Sequence, residues 1–94
     1  MKTAVVNFFN KVGLDSEDIA FITSSYPELD SADERKIIGN AKLVVDAGYP
    51  IDELEFLILI NPAFLISNTE SLKEILDALG EDAYWMLKED PFII

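Results

Sequence analysis

The chain has 94 residues, of which 18 are acidic and 7 are basic, and it contains neither His nor Cys. This length suits one small domain, and the missing Cys and His exclude disulfides, sulfur-ligated metal sites and the usual general base near neutral pH. The net charge of −11 argues against binding to a bare phosphate backbone, because that affinity comes from Lys and Arg.

Gly and Pro residues divide the chain into six predicted helices. The first ends at Gly13, since Gly is favoured just past a helix end, and the second ends before Pro27, since the residue preceding Pro avoids helical geometry. The six helices are expected at about 2–12, 15–26, 32–47, 51–60, 70–79 and 82–89.

The third and fourth predicted helices differ in the pattern of their apolar residues. The third has its inner stripe at Ile37, Ala41, Val44 and Val45. Residues 56–60 have the composition of a strand, but the acidic first turn at 52–53 favours a helix. The predicted fold class is therefore all-α.

The glycines and prolines recur in register. Gly13 precedes Pro27 by 14 residues, Gly48 precedes Pro62 by 14, and a third pair at 80 and 91 is separated by 11. Periods of 20–50 residues are typical of stacked-repeat proteins. We therefore predict a single domain, 1–94, with units of about 1–29, 30–65 and 66–94.

An aromatic residue stands six positions before each repeated proline. These residues are Phe21, Phe56 and Trp85. Together with Tyr84 they offer a possible stacking platform for nucleic-acid bases, but the repeat-locked spacing favours core positions. In addition, the sequences starting at Ser31 and Ser67 have the S-x-x-E form of a helix capping box.

The repeat unit resembles that of the mitochondrial transcription termination factor (mTERF) family. The residues that carry this resemblance are Val12–Ile19 with Tyr26–Leu29, Ala47–Leu54 with Asn61–Leu65, and Ser67–Leu72 with Leu76, Leu79 and Gly80. The resemblance implies a short right-stacking array of about two and a half to three helix triplets. It also implies binding of duplex nucleic acid along a basic concave groove.

The charge of this chain departs from that expectation, because its seven basic residues are spread along the sequence. The best basic cluster is Arg35, Lys36 and Lys42 on the third helix, and these are the nucleic-acid-binding candidates if the family function holds. The alternative is a solvated face whose cations pair with neighbouring acids such as Asp33.

Catalytic motifs are missing from the sequence. The acid clusters near the starts of predicted helices are explained by the helix dipole, and the four isolated glycines form no phosphate-binding loop. We therefore predict no enzyme activity, no catalytic or metal-binding residue and no cofactor.

Contact with another protein is the remaining possibility. The candidate residues are acids near helix starts, an aromatic at a turn, and the apolar chain end: Glu17, Asp18, Asp52, Glu53, Glu55, Tyr49, Phe92 and Ile94. The tail at 91–94 either folds back over the core or leaves an apolar edge for a partner.

Three functions follow as hypotheses. The first is a non-catalytic acidic module that binds a basic protein, with nucleic-acid mimicry as its sharpest form. The second is nucleic-acid binding through the cluster on the third helix. The third is a self-associating structural protein, in which Phe92→Asp or Ile94→Asp would break a homodimer.

The first twenty residues contain three acids and no Arg, which fits neither a secretory signal nor a transit peptide. The longest apolar stretch, interrupted at Asn61–Pro62, is too short to span a membrane. We expect a soluble, cytoplasmic protein without membrane contact.

Overall fold

The computed structural model describes residues 1–94 and contains α-helices and 3₁₀ turns but no β-strand. The all-α prediction is confirmed, and each predicted helix is present with ends within about three residues of the expected ones. The helices are Thr3–Lys11 (α1), Ser16–Ser25 (α2), Glu34–Asp46 (α3), Leu54–Ile60 (α4), Thr69–Leu79 (α5) and Ala83–Glu89 (α6).

The repeated glycines occupy equivalent places, each following one of the odd-numbered helices. Gly13, Gly48 and Gly80 have φ angles of 109°, 114° and 57°, and no other residue has a positive φ. Only Gly adopts such angles without steric cost, so the glycine period in the sequence reports where the backbone must reverse.

Each repeated proline begins a 3₁₀ turn after one of the even-numbered helices. These turns are Pro27–Asp30, Pro62–Ile66 and Pro91–Ile93. Pro favours such starts because its fixed φ is already helical and its missing N–H would have no partner there. The order of helix, Gly, helix and Pro turn therefore occurs three times along the chain.

The predicted serine caps are wrong. The N-cap of α3 is Asp33, which accepts from the backbone N–H of Arg35, and the N-cap of α5 is Asn68. Ser31 and Ser67 instead donate their hydroxyls to carbonyls of the preceding 3₁₀ turns. The offset is two residues at α3 and one at α5, because Asp and Asn compete well with Ser for the cap position.

The helices form two rows. In the first row α1 packs against α3 and α3 against α5, which places α3 in the middle. In the second row α2, α4 and α6 follow in the same order, with a groove between each pair. The two rows bury a continuous core that includes Phe9, Ile37, Leu57 and Phe64.

The stripe predicted on α3 is correct at three of its four positions. Ile37, Ala41 and Val44 are fully buried, whereas Val45 is half-buried. Asn40 is buried on the same helix and donates its amide to the carbonyls of Phe64 and Leu65 in the 3₁₀ turn and of Ser67 just after it. This polar contact joins α3 to the turn of the next unit.

Candidate interaction surface

The repeat-locked aromatic side chains are exposed, so their predicted place in the core is wrong. Phe21, Phe56 and Trp85 expose 62%, 56% and 65% of their surface and lie on α2, α4 and α6 respectively. Each helix of the second row thus presents one large ring to solvent at the same position of its unit.

Helical phase explains this outcome. Trp85 lies two residues from each of Ala83 and Leu87, which are both buried, and two residues correspond to about 200° around a helix. Phe56 stands in the same relation to buried Leu54 and Ile58. The aromatic position therefore faces away from the core, and the spacing to the apolar neighbours was the sequence signal that could have shown it.

An acidic side chain stands four residues before each exposed ring. These acids are Glu17, Asp52 and Glu81, which are exposed and take part in no side-chain hydrogen bond or ion pair. Glu17 and Phe21 share α2, where residues four apart lie on the same face, whereas Asp52 and Glu81 lie in the 3₁₀ turns that directly precede α4 and α6. Each unit of the second row thus has one free carboxylate four residues before one exposed ring, and we refer to each such acid and ring as a pair.

Of the acids one position later, Asp18 and Glu53 are engaged within the chain, whereas Asp82 makes no side-chain hydrogen bond or ion pair. Asp18 and Asp15 form a reciprocal capping box at the start of α2. Glu53 accepts a hydrogen bond from the Tyr84 hydroxyl at 2.9 Å and pairs with Lys88 at 3.4 Å. Asp18 and Glu53 therefore stabilise the fold locally, which distinguishes them from the free carboxylates of the second row.

Lys88 is the one basic residue among the helices of the second row, and its ammonium group is already bound by Glu53 and Tyr84. Its ammonium donates to the Tyr84 hydroxyl at 2.8 Å and lies over the Tyr84 ring at 5.2 Å from the centroid. The hydrogen bonds to Tyr84 and Glu53 raise the pKa of Lys88, so it stays charged throughout the physiological range. This cation neutralises Glu53 and leaves the neighbouring acids uncompensated.

Two shallow grooves separate the helices of the second row. The groove between α2 and α4 has a volume of about 320 Å³, and Phe21 and Ile60 line it. The groove between α4 and α6 has a volume of about 330 Å³ and is lined by Phe56, Ile60 and Leu87, among others. Most lining residues of both grooves are hydrophobic, and Ile60 lines both, but Ser25 also lines the first groove and Glu53 and Lys88 the second.

The charges divide unevenly between the two rows. The helices α1, α3 and α5, together with their N-cap residues, carry six bases and six acids. The rest of the chain carries twelve acids and only Lys88, so the net charge of −11 belongs to the second row with its loops and turns. The uncompensated negative charge therefore belongs to the same helices, loops and turns that carry the exposed rings.

Two other residues predicted to contact a partner, Tyr49 and Glu55, are less exposed to solvent than expected. Tyr49 is buried, which corrects its predicted exposure, and its ring packs edge-on against Tyr84 at 5.5 Å. Burial raises the pKa of the Tyr49 hydroxyl. Glu55 is half-buried against the turn at Gly13, where an added β-carbon would lie 2.7 Å from its carboxylate.

The chain end folds back in part. Ile93 and Ile94 pack against the core, and the buried Asn61 amide donates to the carbonyls of Pro91 and Ile94. Phe92 remains exposed, but the residue four positions before it is Lys88 rather than an acid. Phe92 therefore differs from the three rings of the second row.

The predicted nucleic-acid candidates lie on the first row. Arg35 and Lys42 line a depression between α1 and α3, whose floor includes Ala4 and Gly39, whereas Lys36 is half-buried outside it. Arg35 lies 3.7 Å from Asp33, an exposed pair of the kind that contributes little stability. The N–H of Arg35 lowers the pKa of Asp33, so this acid keeps its charge beside the cluster.

Comparison with known proteins identifies one family. The mTERF family model matches residues 2–89, which is nearly the whole chain, and this confirms the resemblance predicted from the repeats. No curated protein and no solved structure matches the chain. None of the helices has the length and apolar character needed to cross a membrane.

Proposed function

The chain belongs to the mTERF family. We propose that it is a non-catalytic helical-repeat module that binds a basic protein through its second row of helices. The observation that carries this proposal is the division of charge between the rows. A concentrated negative surface attracts a basic partner and speeds association, whereas a balanced surface does neither. In its sharpest form the acidic row occupies the nucleic-acid channel of such a partner.

Affinity capture with matched variants tests this proposal. One variant neutralises the free acids of the second row (Glu17→Gln, Asp52→Asn, Glu81→Gln). Its control neutralises three exposed acids of the first row (Asp46→Asn, Glu70→Gln, Asp77→Asn), so both variants change the net charge equally. We expect basic proteins to be captured at low salt by the wild type and the control, and to be lost with the second-row variant.

High salt provides the complementary measurement, because surface charge interactions are screened beyond about 8 Å at 0.15 M salt. We expect capture to fall steeply between low and high NaCl. An amount of captured protein that does not change with NaCl concentration, or that is equal for both variants, contradicts binding through the second row.

Nucleic-acid binding through α3 is the second candidate. It is supported by the membership in a helical-repeat family associated with nucleic acid and by the place of Arg35 and Lys42 in one depression. A gel shift with duplex DNA at low salt tests it, with Arg35→Ala/Lys42→Ala as the variant. A retarded species that the variant loses supports this candidate, and the lack of any retarded species rejects it.

A further inference from the structure

We propose that the second row binds an arginine-bearing extended segment of a partner protein, with one guanidinium seated on each pair of exposed ring and free carboxylate. The three pairs are Glu17 with Phe21, Asp52 with Phe56, and Glu81 with Trp85. This inference rests on the proposed function and names the chemistry of the partner that the acidic row recognises.

The rings need an explanation that folding does not provide. Three large aromatic side chains at one repeat position expose more than half of their surface, although exposed rings cost solubility, and of the three only Trp85 contacts another ring, that of Tyr84 at 5.0 Å. The grooves beside Phe21 and Phe56 keep the rings accessible from the side. One exposed ring on each of three successive helices fits a ligand that presents the same chemical group at regular intervals.

The negative charge of the second row indicates which kind of ligand binds to the exposed rings. Aromatic faces stack equally well on nucleic-acid bases and on guanidinium groups. A nucleic acid would bring its phosphates close to Glu17, Asp52 and Glu81, which have no neutralising partner. A guanidinium satisfies both features, because its flat face stacks on the ring while its N–H groups donate to the carboxylate.

Arginine fits these pairs better than lysine. The guanidinium is planar, remains charged at all relevant pH values and donates two parallel hydrogen bonds to one carboxylate. An ammonium group is a point charge that holds its water more strongly, so it gains less from an exposed ring. Lysine is therefore expected to bind the same positions more weakly.

The spacing of the row selects an extended segment. The grooves hold the helices of the second row at least as far apart as directly packed helices, which lie about 10 Å apart, and an extended chain advances about 3.3 Å per residue. Arginines at every third residue of such a segment therefore offer a guanidinium within reach of each helix. The apolar groove walls between successive rings are left for the side chains between the arginines.

The probe is a synthetic peptide of about twelve residues with Arg at every third position and uncharged residues between, long enough to span the three helices. Two matched peptides replace Arg by Lys or by citrulline, which keeps the shape of Arg without its charge. Calorimetry gives the affinities for the full-length protein. Trp85 is the only tryptophan, so its fluorescence reports whether the peptide reaches the row.

We expect the Arg peptide to bind at low salt and to shield Trp85 from acrylamide, the Lys peptide to bind more weakly, and the citrulline peptide not to bind. Each single change Phe21→Ser, Phe56→Ser or Trp85→Ser is expected to weaken binding about threefold, and the triple variant about thirtyfold. Phe92→Ser is the matched control, because Phe92 is as exposed as Phe21 but has Lys88 in place of the acid. It is expected to leave the affinity unchanged.

The outcomes separate this inference from the proposed function. Equal affinity of the triple variant and the wild type, or equal effects of Phe92→Ser and Phe21→Ser, overturns the role of the rings while binding of a basic segment stands. Failure of the Arg peptide to bind the wild type rejects this inference, whereas the proposed function is rejected only if the affinity capture of basic proteins also fails. Circular dichroism verifies that each variant keeps its helices, which is expected because the replaced rings are exposed.

Discussion

Asn40 and Asn61 are the buried polar residues of the core, and each ties a Pro-initiated turn to the rest of the fold. Asn40 donates to carbonyls in the turn at residues 62–66 and beyond, and accepts from the Thr69 hydroxyl at 2.8 Å. Asn61 donates to the last turn in a similar way. Such contacts stabilise because the carbonyls are buried and have lost water as a partner.

Asn40→Ala is expected to lower the free energy of unfolding by about 2–4 kcal/mol, because it leaves buried carbonyls without a donor. Chemical denaturation in urea measures this change. The control is Asn10→Ala on the exposed face of α1, where a change within about 0.5 kcal/mol is expected. Equal losses in the two variants would contradict the structural role of Asn40.

At the level of the helix, the phase of each residue relative to the core decides its contribution. Phe9 on α1 is completely buried, whereas Phe21 on α2 exposes 62% of its surface. Both are apolar residues within amphipathic segments, and composition alone does not separate them. The helical period of 3.6 residues does, because it assigns each side chain to one face.

Phe9→Ala is expected to lower the free energy of unfolding by about 3–5 kcal/mol through the cavity it leaves. Phe21→Ala is expected to change it by less than about 1 kcal/mol, since solvent replaces most of the ring. Thermal unfolding followed by circular dichroism compares the two variants. A large loss for Phe21→Ala would place that ring in the core and contradict the proposed surface.

Glycines inside and at the end of a helix are expected to respond oppositely to the same substitution. Gly39 lies within α3 with open space around an added β-carbon, so Gly39→Ala should raise the free energy of unfolding by about 0.5–1 kcal/mol. Gly48 has equal space but a φ of 114°, so Gly48→Ala should lower it by about 1–2 kcal/mol. Urea midpoints that shift in the same direction would contradict this assignment.

For the molecule as a whole, the distribution of charge matters more than its sum. The first row is balanced, whereas the second row and its loops carry the entire net charge of −11. Several of these acids cap helices, as Asp15 and Asp18 do, but the free acids beside the rings have no such role. Their mutual repulsion opposes the compact state, which is consistent with a surface kept for binding.

Raising NaCl from about 10 mM to 0.3 M is therefore expected to increase the melting temperature by a few degrees, because salt screens this repulsion. The variant that neutralises Glu17, Asp52 and Glu81 should gain less from salt than the wild type. A melting temperature that falls with salt would mean that attractive ion pairs dominate instead.

The sequence by itself determined the fold to a large extent. Gly13, Gly48 and Gly80 indicated where the backbone turns, Pro27 and Pro62 indicated where helices end, and their period indicated the mTERF family. These signals are local, because each follows from the backbone geometry that one residue type allows. The helix caps were misplaced by one or two residues, since several neighbouring polar residues compete for that position.

Only the tertiary structure decided which side chains meet solvent and which acids stand together. Phe21, Phe56 and Trp85 are as apolar as the core residues beside them, yet the packing of the rows leaves them exposed, while Tyr49 at its turn is buried. Burial depends on what the other row covers, which no residue type specifies alone. The charge of −11 was evident from composition, but its confinement to the second row follows from how the helices alternate between the rows.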